Sequence, residues 1–178
     1  MKSHPVCSLL VAIAVMPVAC VNAQAAPAPS NTVAGTPPAT IIYSNAQYGF
    51  CFVLPEDWKG YTVVTEKWSG ENFSSGQTVH GPQLLLRNPK WTAQQPYQDI
   101  PIMVFTPAEW QQVVAVTMSV SAAPIGPEEL GQNTKYVFAL PPRWIGFDDA
   151  LGQDEVNAWM VQNRLQAPCG KSSAGTAK

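Results

Sequence analysis

Charged residues are scarce in this chain of 178 residues: ten basic and twelve acidic residues make up 12% of it, about half of the usual globular level of roughly 25%. No block of basic residues occurs, so the sequence lacks the electrostatic footprint of a nucleic-acid-binding protein. Because 46% of the residues are apolar, the composition is also not that of an intrinsically disordered chain. We therefore expect a folded protein that does not bind nucleic acid.

The residues and motifs of metal and cofactor sites are also scarce. The chain has two histidines and four cysteines, and no two cysteines have the CxxC spacing of a zinc site. It contains no phosphate-binding or dinucleotide-binding glycine motif and no GxSxG motif of a serine hydrolase. The sequence predicts no metal, no cofactor and no catalytic residue.

Long apolar runs are limited to the N-terminus. Lys2 precedes an apolar run from Val6 to Cys20, and the small residues Val21-Asn22-Ala23 follow it. The run is shorter than the roughly 20 residues of a membrane-spanning helix, so we expect no transmembrane span. The pattern is typical of a signal peptide over residues 1–23, which predicts a secreted or periplasmic protein.

Cys20 leaves a second interpretation of this segment open. Pro17-Val18-Ala19-Cys20 partly resembles the box of bacterial lipoproteins, in which the cysteine is lipidated and tethers the protein to a membrane. That box normally has an aliphatic residue at the position of Pro17. We therefore expect simple cleavage before Gln24 or two residues later, with lipidation of Cys20 as the alternative.

Two cysteines, Cys51 and Cys169, remain after cleavage. In an oxidising compartment this even number favours a disulfide, which would stabilise the fold by roughly 4–5 kcal/mol in the chain-entropy model. The alternative is a pair of free thiols, one in the core and one in a loose tail.

The rest of the sequence indicates a single domain between two disordered segments. Residues 24–40 are rich in proline and alanine and predict a mobile linker, and residues 171–178 predict a disordered tail. Residues 41–170 predict an α+β fold in which an antiparallel sheet of about six strands carries a short helix and a long C-terminal helix. The expected strands are 48–54, 61–68, 83–87, 100–105, 115–121 and 136–140, the expected helices are 107–114 and 153–165, and 127–131 is expected to be a helical turn.

The segment Tyr48-Gly49-Phe50-Cys51-Phe52-Val53-Leu54-Pro55-Glu56-Asp57-Trp58 resembles the start of the PsbP-like superfamily, named for an extrinsic subunit of photosystem II. A second segment, from Pro127 to Arg143, resembles a block of uncharacterised secreted bacterial proteins. The resemblance implies an α/β/α fold and a non-catalytic accessory or assembly role. It carries over no catalytic residue.

The chain is unusually rich in tryptophan for its size, with six such residues. Trp58, Trp110 and Trp159 fit positions in the core or in turns. Trp91 precedes a polar loop, and Arg143-Trp144 follows two prolines, so these three residues are the candidate binding site, in a contact surface formed by loop 88–99 and the segment 143–144.

The favoured function is therefore that of an exported, non-enzymatic binding or accessory protein of the bacterial cell envelope. Its partner would be an envelope protein or a glycan or peptide ligand. One alternative is a small envelope hydrolase that uses His80 and a carboxylate. Another is a protein that binds its partner only as an oligomer.

Overall fold

The computed structural model describes residues 40–120, 125–144, 150–162 and 165–170. The predicted signal peptide with Cys20, nearly all of the predicted linker and the predicted tail lie outside these residues. The elements, in chain order, are β1 (Thr40–Asn45), β2 (Phe50–Pro55), β3 (Thr62–Asn72), β4 (Gln77–Arg87), β5 (Ile100–Phe105), α1 (Pro107–Val114), β6 (Met118–Val120), β7 (Glu128–Gln132), β8 (Val137–Leu140) and α2 (Gln153–Gln162).

Six strands form an antiparallel sheet in the order β6-β3-β4-β5-β8-β7, and β1 and β2 form a separate antiparallel pair. Alternate residues of the large sheet point to opposite faces, so each face has its own apolar cluster. The inner face packs against β1, β2 and α2. This main core contains Phe50, Phe52, Leu54, Leu86, Ile100, Ile102, Phe138, Val156 and Met160. The predicted α+β class and the sheet of about six strands are confirmed.

The outer face of the large sheet is partly covered by α1. Thr106 caps this helix: its hydroxyl accepts from the Glu109 N–H at 3.2 Å, and the Glu109 carboxylate accepts from the Thr106 N–H at 2.7 Å. Trp110 and Val113 of the helix pack on a second apolar cluster. The buried members of this cluster are Trp68, Met103, Phe105, Met118, Val120, Val137 and Ala139.

Trp68 lies in the second cluster, and a glycine on the neighbouring strand leaves the space for its ring. Gly81 lies directly opposite Trp68 in the ladder between β3 and β4, and the indole ring occupies the space that a side chain at Gly81 would fill. The indole N–H donates to the Val104 carbonyl oxygen on β5 at 2.9 Å. The ladder between β4 and β5 stops before Pro82, which has no N–H to donate, so the indole supplies a donor at this point.

The C-terminal helix is shorter than predicted. We expected residues 153–165, whereas α2 covers ten residues, Gln153–Gln162. Beyond it, Gln166 pairs with Cys51 of β2 through two backbone hydrogen bonds of 2.8 and 2.9 Å. This extended pairing is incompatible with a helix that continues through residue 165.

Other expectations also differ from the observed elements. β3 extends four residues beyond the expected strand 61–68, and β4 begins six residues before the expected strand 83–87. The segment 127–131, expected to be a helical turn, contributes to β7, which pairs with β8 and has a bulge between Glu129 and Gly131. The strand expected over 115–121 begins only at Met118, because α1 and its C-terminal turn extend to residue 117, and residue 121 lies outside the described residues. β1 was not expected, and it begins at Thr40, within the predicted linker.

The predicted disulfide between Cys51 and Cys169 is present, with 118 residues of sequence separation and 5.1 Å between the Cα atoms. It ties the segment after α2 to β2. No helix in the described part of the chain is long and apolar enough to cross a membrane.

Candidate functional site

A groove of about 410 Å³ lies on the outer face of the large sheet, on the part that α1 does not cover. Its floor consists of side chains from the three strands β3, β4 and β5. Its walls consist of residues from the loop between β4 and β5, together with Ala150. The lining residues are Glu66, Gln83, Leu85, Arg87, Trp91, Pro96, Tyr97, Gln98, Asp99, Pro101 and Ala150.

The strand register explains the composition of the floor. On β4, Leu84 and Leu86 point into the main core, so Gln83, Leu85 and Arg87 point to the outer face. The floor alternates between polar and apolar groups as a result. Across the ladders, Glu66 of β3 lies opposite Gln83, and Pro101 of β5 lies opposite Leu85.

Arg87 connects the floor to the wall. Its Nε donates to Asp99 Oδ2 at 3.1 Å, and its guanidinium lies 4.0 Å from the centre of the Trp91 ring. The Asn88 N–H donates to the other oxygen of Asp99 at 3.3 Å. Burial raises the pKa of the Asp99 carboxyl above its ordinary value, and the arginine opposes this shift without cancelling it. The partly desolvated pair fixes both side chains at the groove.

The loop 88–99, which forms the main wall, is anchored to the start of α2. The Tyr97 hydroxyl donates to Glu155 Oε2 at 2.6 Å, and Lys90 Nζ lies 3.0 Å from Asp57 Oδ2 and 4.0 Å from Glu155 Oε1. The hydrogen bond to Asp57 raises the pKa of the Lys90 ammonium, and that to Glu155 raises the pKa of the Tyr97 hydroxyl. These pairs are exposed, so each stabilises the fold only slightly, but together they set the position of the wall.

Backbone hydrogen bonds to Leu151 also fix the position of this wall. The Gln98 N–H donates to the Leu151 carbonyl oxygen at 2.8 Å, and the Leu151 N–H donates to the Pro96 carbonyl oxygen at 2.9 Å. The Tyr97 ring packs against Gly152, whose φ of +74° suits glycine. The groove is therefore preformed.

The structure places the two segments of the predicted contact surface side by side, although the lining of the groove includes Trp91 and neither Arg143 nor Trp144. Gln98 Nε2 donates to the Trp144 carbonyl oxygen at 3.2 Å, which places the segment 143–144 beside loop 88–99. Trp91 lines the groove and is half-buried. Trp144 is also half-buried, and its side chain packs against the main core. Arg143 is exposed, with a left-handed φ of +52°.

His80, the candidate residue of the hydrolase alternative, is exposed on β4 opposite Ser69 and not in a turn as its sequence context suggested. Within the described ranges, no hydrogen bond or ion pair connects it to a carboxylate. The same residues contain no group of three or more histidine, cysteine or acidic side chains that could hold a metal ion.

A second cavity, of about 230 Å³, lies between α2 and the turn around Trp58. Its lining is mostly apolar and includes Ile100, Val156 and Trp159. The Trp159 indole N–H donates to the Val53 carbonyl oxygen at 2.9 Å, so this tryptophan has a structural partner. The outer groove brings more polar groups together and is the stronger candidate site.

Sequence reasoning identified Trp91 and the loop 88–99 that forms the main wall, but it missed the floor of the groove on β3, β4 and β5. The sequence has no clear signal for the polar outer face, because three consecutive leucines at 84–86 separate Gln83 from Arg87 and hide the alternation. Nothing local indicated that Asp99 pairs with Arg87 or that Tyr97 reaches Glu155, because these contacts depend on how the chain folds back.

Comparison with known proteins adds no family to these observations. No protein-family model matches the chain, and no curated protein or solved structure is significantly similar to it. The functional conclusion rests on the groove itself.

Proposed function

We propose that this chain is an exported, non-enzymatic binding protein of the bacterial cell envelope and that the outer groove is its ligand site. The observation that carries the proposal is the convergence of Arg87, Trp91 and Asp99 with two glutamine side chains in one preformed concavity. Ligand pockets typically have volumes of roughly 300–1,000 Å³ and combine apolar walls with a few oriented polar groups. The groove has this size and this composition.

The lining favours binding over catalysis. None of the lining residues in the described part of the chain is a serine, threonine, cysteine or histidine, so its candidate nucleophiles and bases are limited to the carboxylates of Glu66 and Asp99 and the Tyr97 hydroxyl. Both oxygens of Asp99 already accept hydrogen bonds from Arg87 and Asn88. The PsbP-like resemblance, which implies an accessory role, agrees with a binding function.

Export is proposed from the N-terminal sequence and from the disulfide, because disulfides persist in oxidising compartments. The test is to express the full chain in a bacterium, fractionate the cells and measure the mass of the mature protein. We expect a periplasmic or secreted product that begins after Ala23 or Ala25. A product that starts at Met1 in the cytoplasm would contradict export, and a lipid mass that disappears in Cys20→Ser would show tethering.

The groove is tested by affinity capture from native envelope extract with a tagged mature domain. Trp91→Ala removes an aromatic ring from the groove, and Phe73→Ala, which removes a 55% exposed ring from the β3–β4 turn, is the matched control. We expect material that wild type and Phe73→Ala retain to be lost from Trp91→Ala. Equal capture by both variants, with unchanged circular dichroism, would contradict a ligand site at the groove.

The hydrolase alternative is tested by His80→Ala. Turnover in a substrate screen that is lost in His80→Ala and kept in Trp91→Ala would replace the binding proposal by an enzymatic one.

A further inference from the structure

The groove contains hydrogen-bond donors and hydrogen-bond acceptors that have no partner among the described residues. Arg87 uses its Nε for Asp99, and neither of its terminal nitrogens has a hydrogen-bond partner among the described residues. Glu66 and Gln83, adjacent on neighbouring strands, likewise have no side-chain partner in the described ranges. Gln98 uses its Nε2 for two carbonyl oxygens, which leaves its Oε1 as an acceptor. These planar groups present donors and acceptors side by side.

The formal charge of the lining disfavours an anionic ligand. Arg87 contributes one positive charge, and Asp99 and Glu66 contribute two negative charges, so the sum is −1. The positive charge is already paired at 3.1 Å. Lys90, the nearest other cation on this loop, is paired with Asp57 outside the groove. An anion would meet an unpaired Glu66 carboxylate and no unpaired cation among the described lining residues.

The position of the groove in the sheet disfavours an extended peptide. Peptides are commonly bound by strand addition, which requires free backbone groups at a sheet edge. The floor lies on the face of β4 and β5, which are interior strands of the six-stranded sheet. At residues 83–86, β4 is paired on both sides, so its backbone groups are not available. Recognition in this floor depends on side chains alone.

We infer that the ligand of the groove is a neutral saccharide. The inference rests on the proposed function and names the ligand class of the same site. A pyranose ring combines apolar C–H faces with a rim of hydroxyl groups that both donate and accept. The aromatic and aliphatic lining of Trp91, Leu85 and Pro101 suits the C–H faces, and Arg87, Gln83 and the other planar groups suit adjacent hydroxyls.

The test is calorimetric titration of the mature, disulfide-bonded protein with a defined panel. The panel contains neutral tetrasaccharides of glucose, galactose, mannose and N-acetylglucosamine, the anionic tetramer of galacturonic acid and a tetrapeptide. We expect at least one neutral tetrasaccharide to bind at submillimolar to millimolar concentration. We expect Gln83→Ala and Glu66→Gln each to weaken this binding about tenfold. Phe73→Ala should leave it unchanged.

A charge reversal separates recognition from a merely structural role. Glu66 is exposed, so Glu66→Lys should fold normally, and it should improve binding of the galacturonic acid tetramer relative to the neutral galactose tetramer. No binding of any neutral tetrasaccharide, or binding that the groove variants leave unchanged, would overturn the inference. Binding of the tetrapeptide alone, lost in Trp91→Ala, would overturn the saccharide while leaving the groove as the ligand site. Cleavage of a bound saccharide would support the ligand class and overturn the non-enzymatic function.

Discussion

The contact between Gly81 and Trp68 predicts that Gly81→Ala is strongly destabilising, although the change adds only one methyl group. The new Cβ would occupy the position of indole ring atoms of Trp68, which is 3% exposed and packed on both sides. Gly81 has no left-handed φ, so the effect would come from the ring and not from backbone strain.

The expected loss of stability can be worked out from the contacts that the Trp68 ring loses when it is displaced. A shift of the indole lengthens its 2.9 Å hydrogen bond to the Val104 carbonyl oxygen, and losing a buried bond costs about 1–3 kcal/mol. Forcing extra volume into a packed cluster costs about 1–3 kcal/mol more. We therefore expect the free energy of unfolding to fall by about 2–6 kcal/mol. Gly126→Ala is the matched control, since a Cβ there meets no atom within 4 Å.

The assay is urea unfolding of the disulfide-bonded protein, followed by far-ultraviolet circular dichroism so that tryptophan variants can be compared. A double-mutant cycle with Trp68→Leu isolates the contact. In the Trp68→Leu background, Gly81→Ala should cost less than about 1 kcal/mol, because the ring is gone. Equal costs in both backgrounds, or a wild-type cost no larger than that of Gly126→Ala, would refute the reasoning.

Other features give predictions for the same unfolding assay. Replacing Cys51 and Cys169 by alanine should lower the free energy of unfolding by up to about 4–5 kcal/mol, and an unchanged urea midpoint would contradict this. Because burial raises the pKa of Asp99 above 3.8, the folded state binds its proton more tightly than the unfolded state, so stability should fall as pH rises from 3.8 through the folded pKa. Asp99→Asn should remove this component, and parallel pH profiles for variant and wild type would contradict the assignment. Thr106→Ala should cost about 0.5–2 kcal/mol and Thr106→Ser almost nothing, while equal losses would show that the capping hydroxyl is not responsible.

Elements with local signals were predicted well. The bounds of α1 were correct because Thr106, Pro107 and Glu109 specify a helix start within four residues. The strand Ile100–Phe105 was also predicted at its observed bounds, from a run of apolar residues that is buried throughout.

Two segments whose structure depends on distant partners were predicted wrongly. The segment Pro127-Glu128-Glu129-Leu130-Gly131 has the composition of a helix start closed by glycine, but pairing with β8 makes part of it a strand. The end of α2 depends on Cys51, more than a hundred residues earlier. The groove was found only in part for the same reason. Trp91 and its loop were conspicuous because an aromatic residue without a core position precedes a polar stretch, whereas the residues of the floor are brought together by strand register.

The disulfide also has a consequence for how the domain is held. Thr40, where the described chain begins, lies in β1, and Cys169 is bonded to β2, so both ends of the domain belong to the layer on the inner face. The groove opens on the opposite face of the large sheet. A pull or an attachment at either end therefore acts on the inner layer. The covalent bridge shortens the connection between Thr40 and Cys169 to residues 40–51 and the disulfide, so a force between the two ends need not pass through the large sheet.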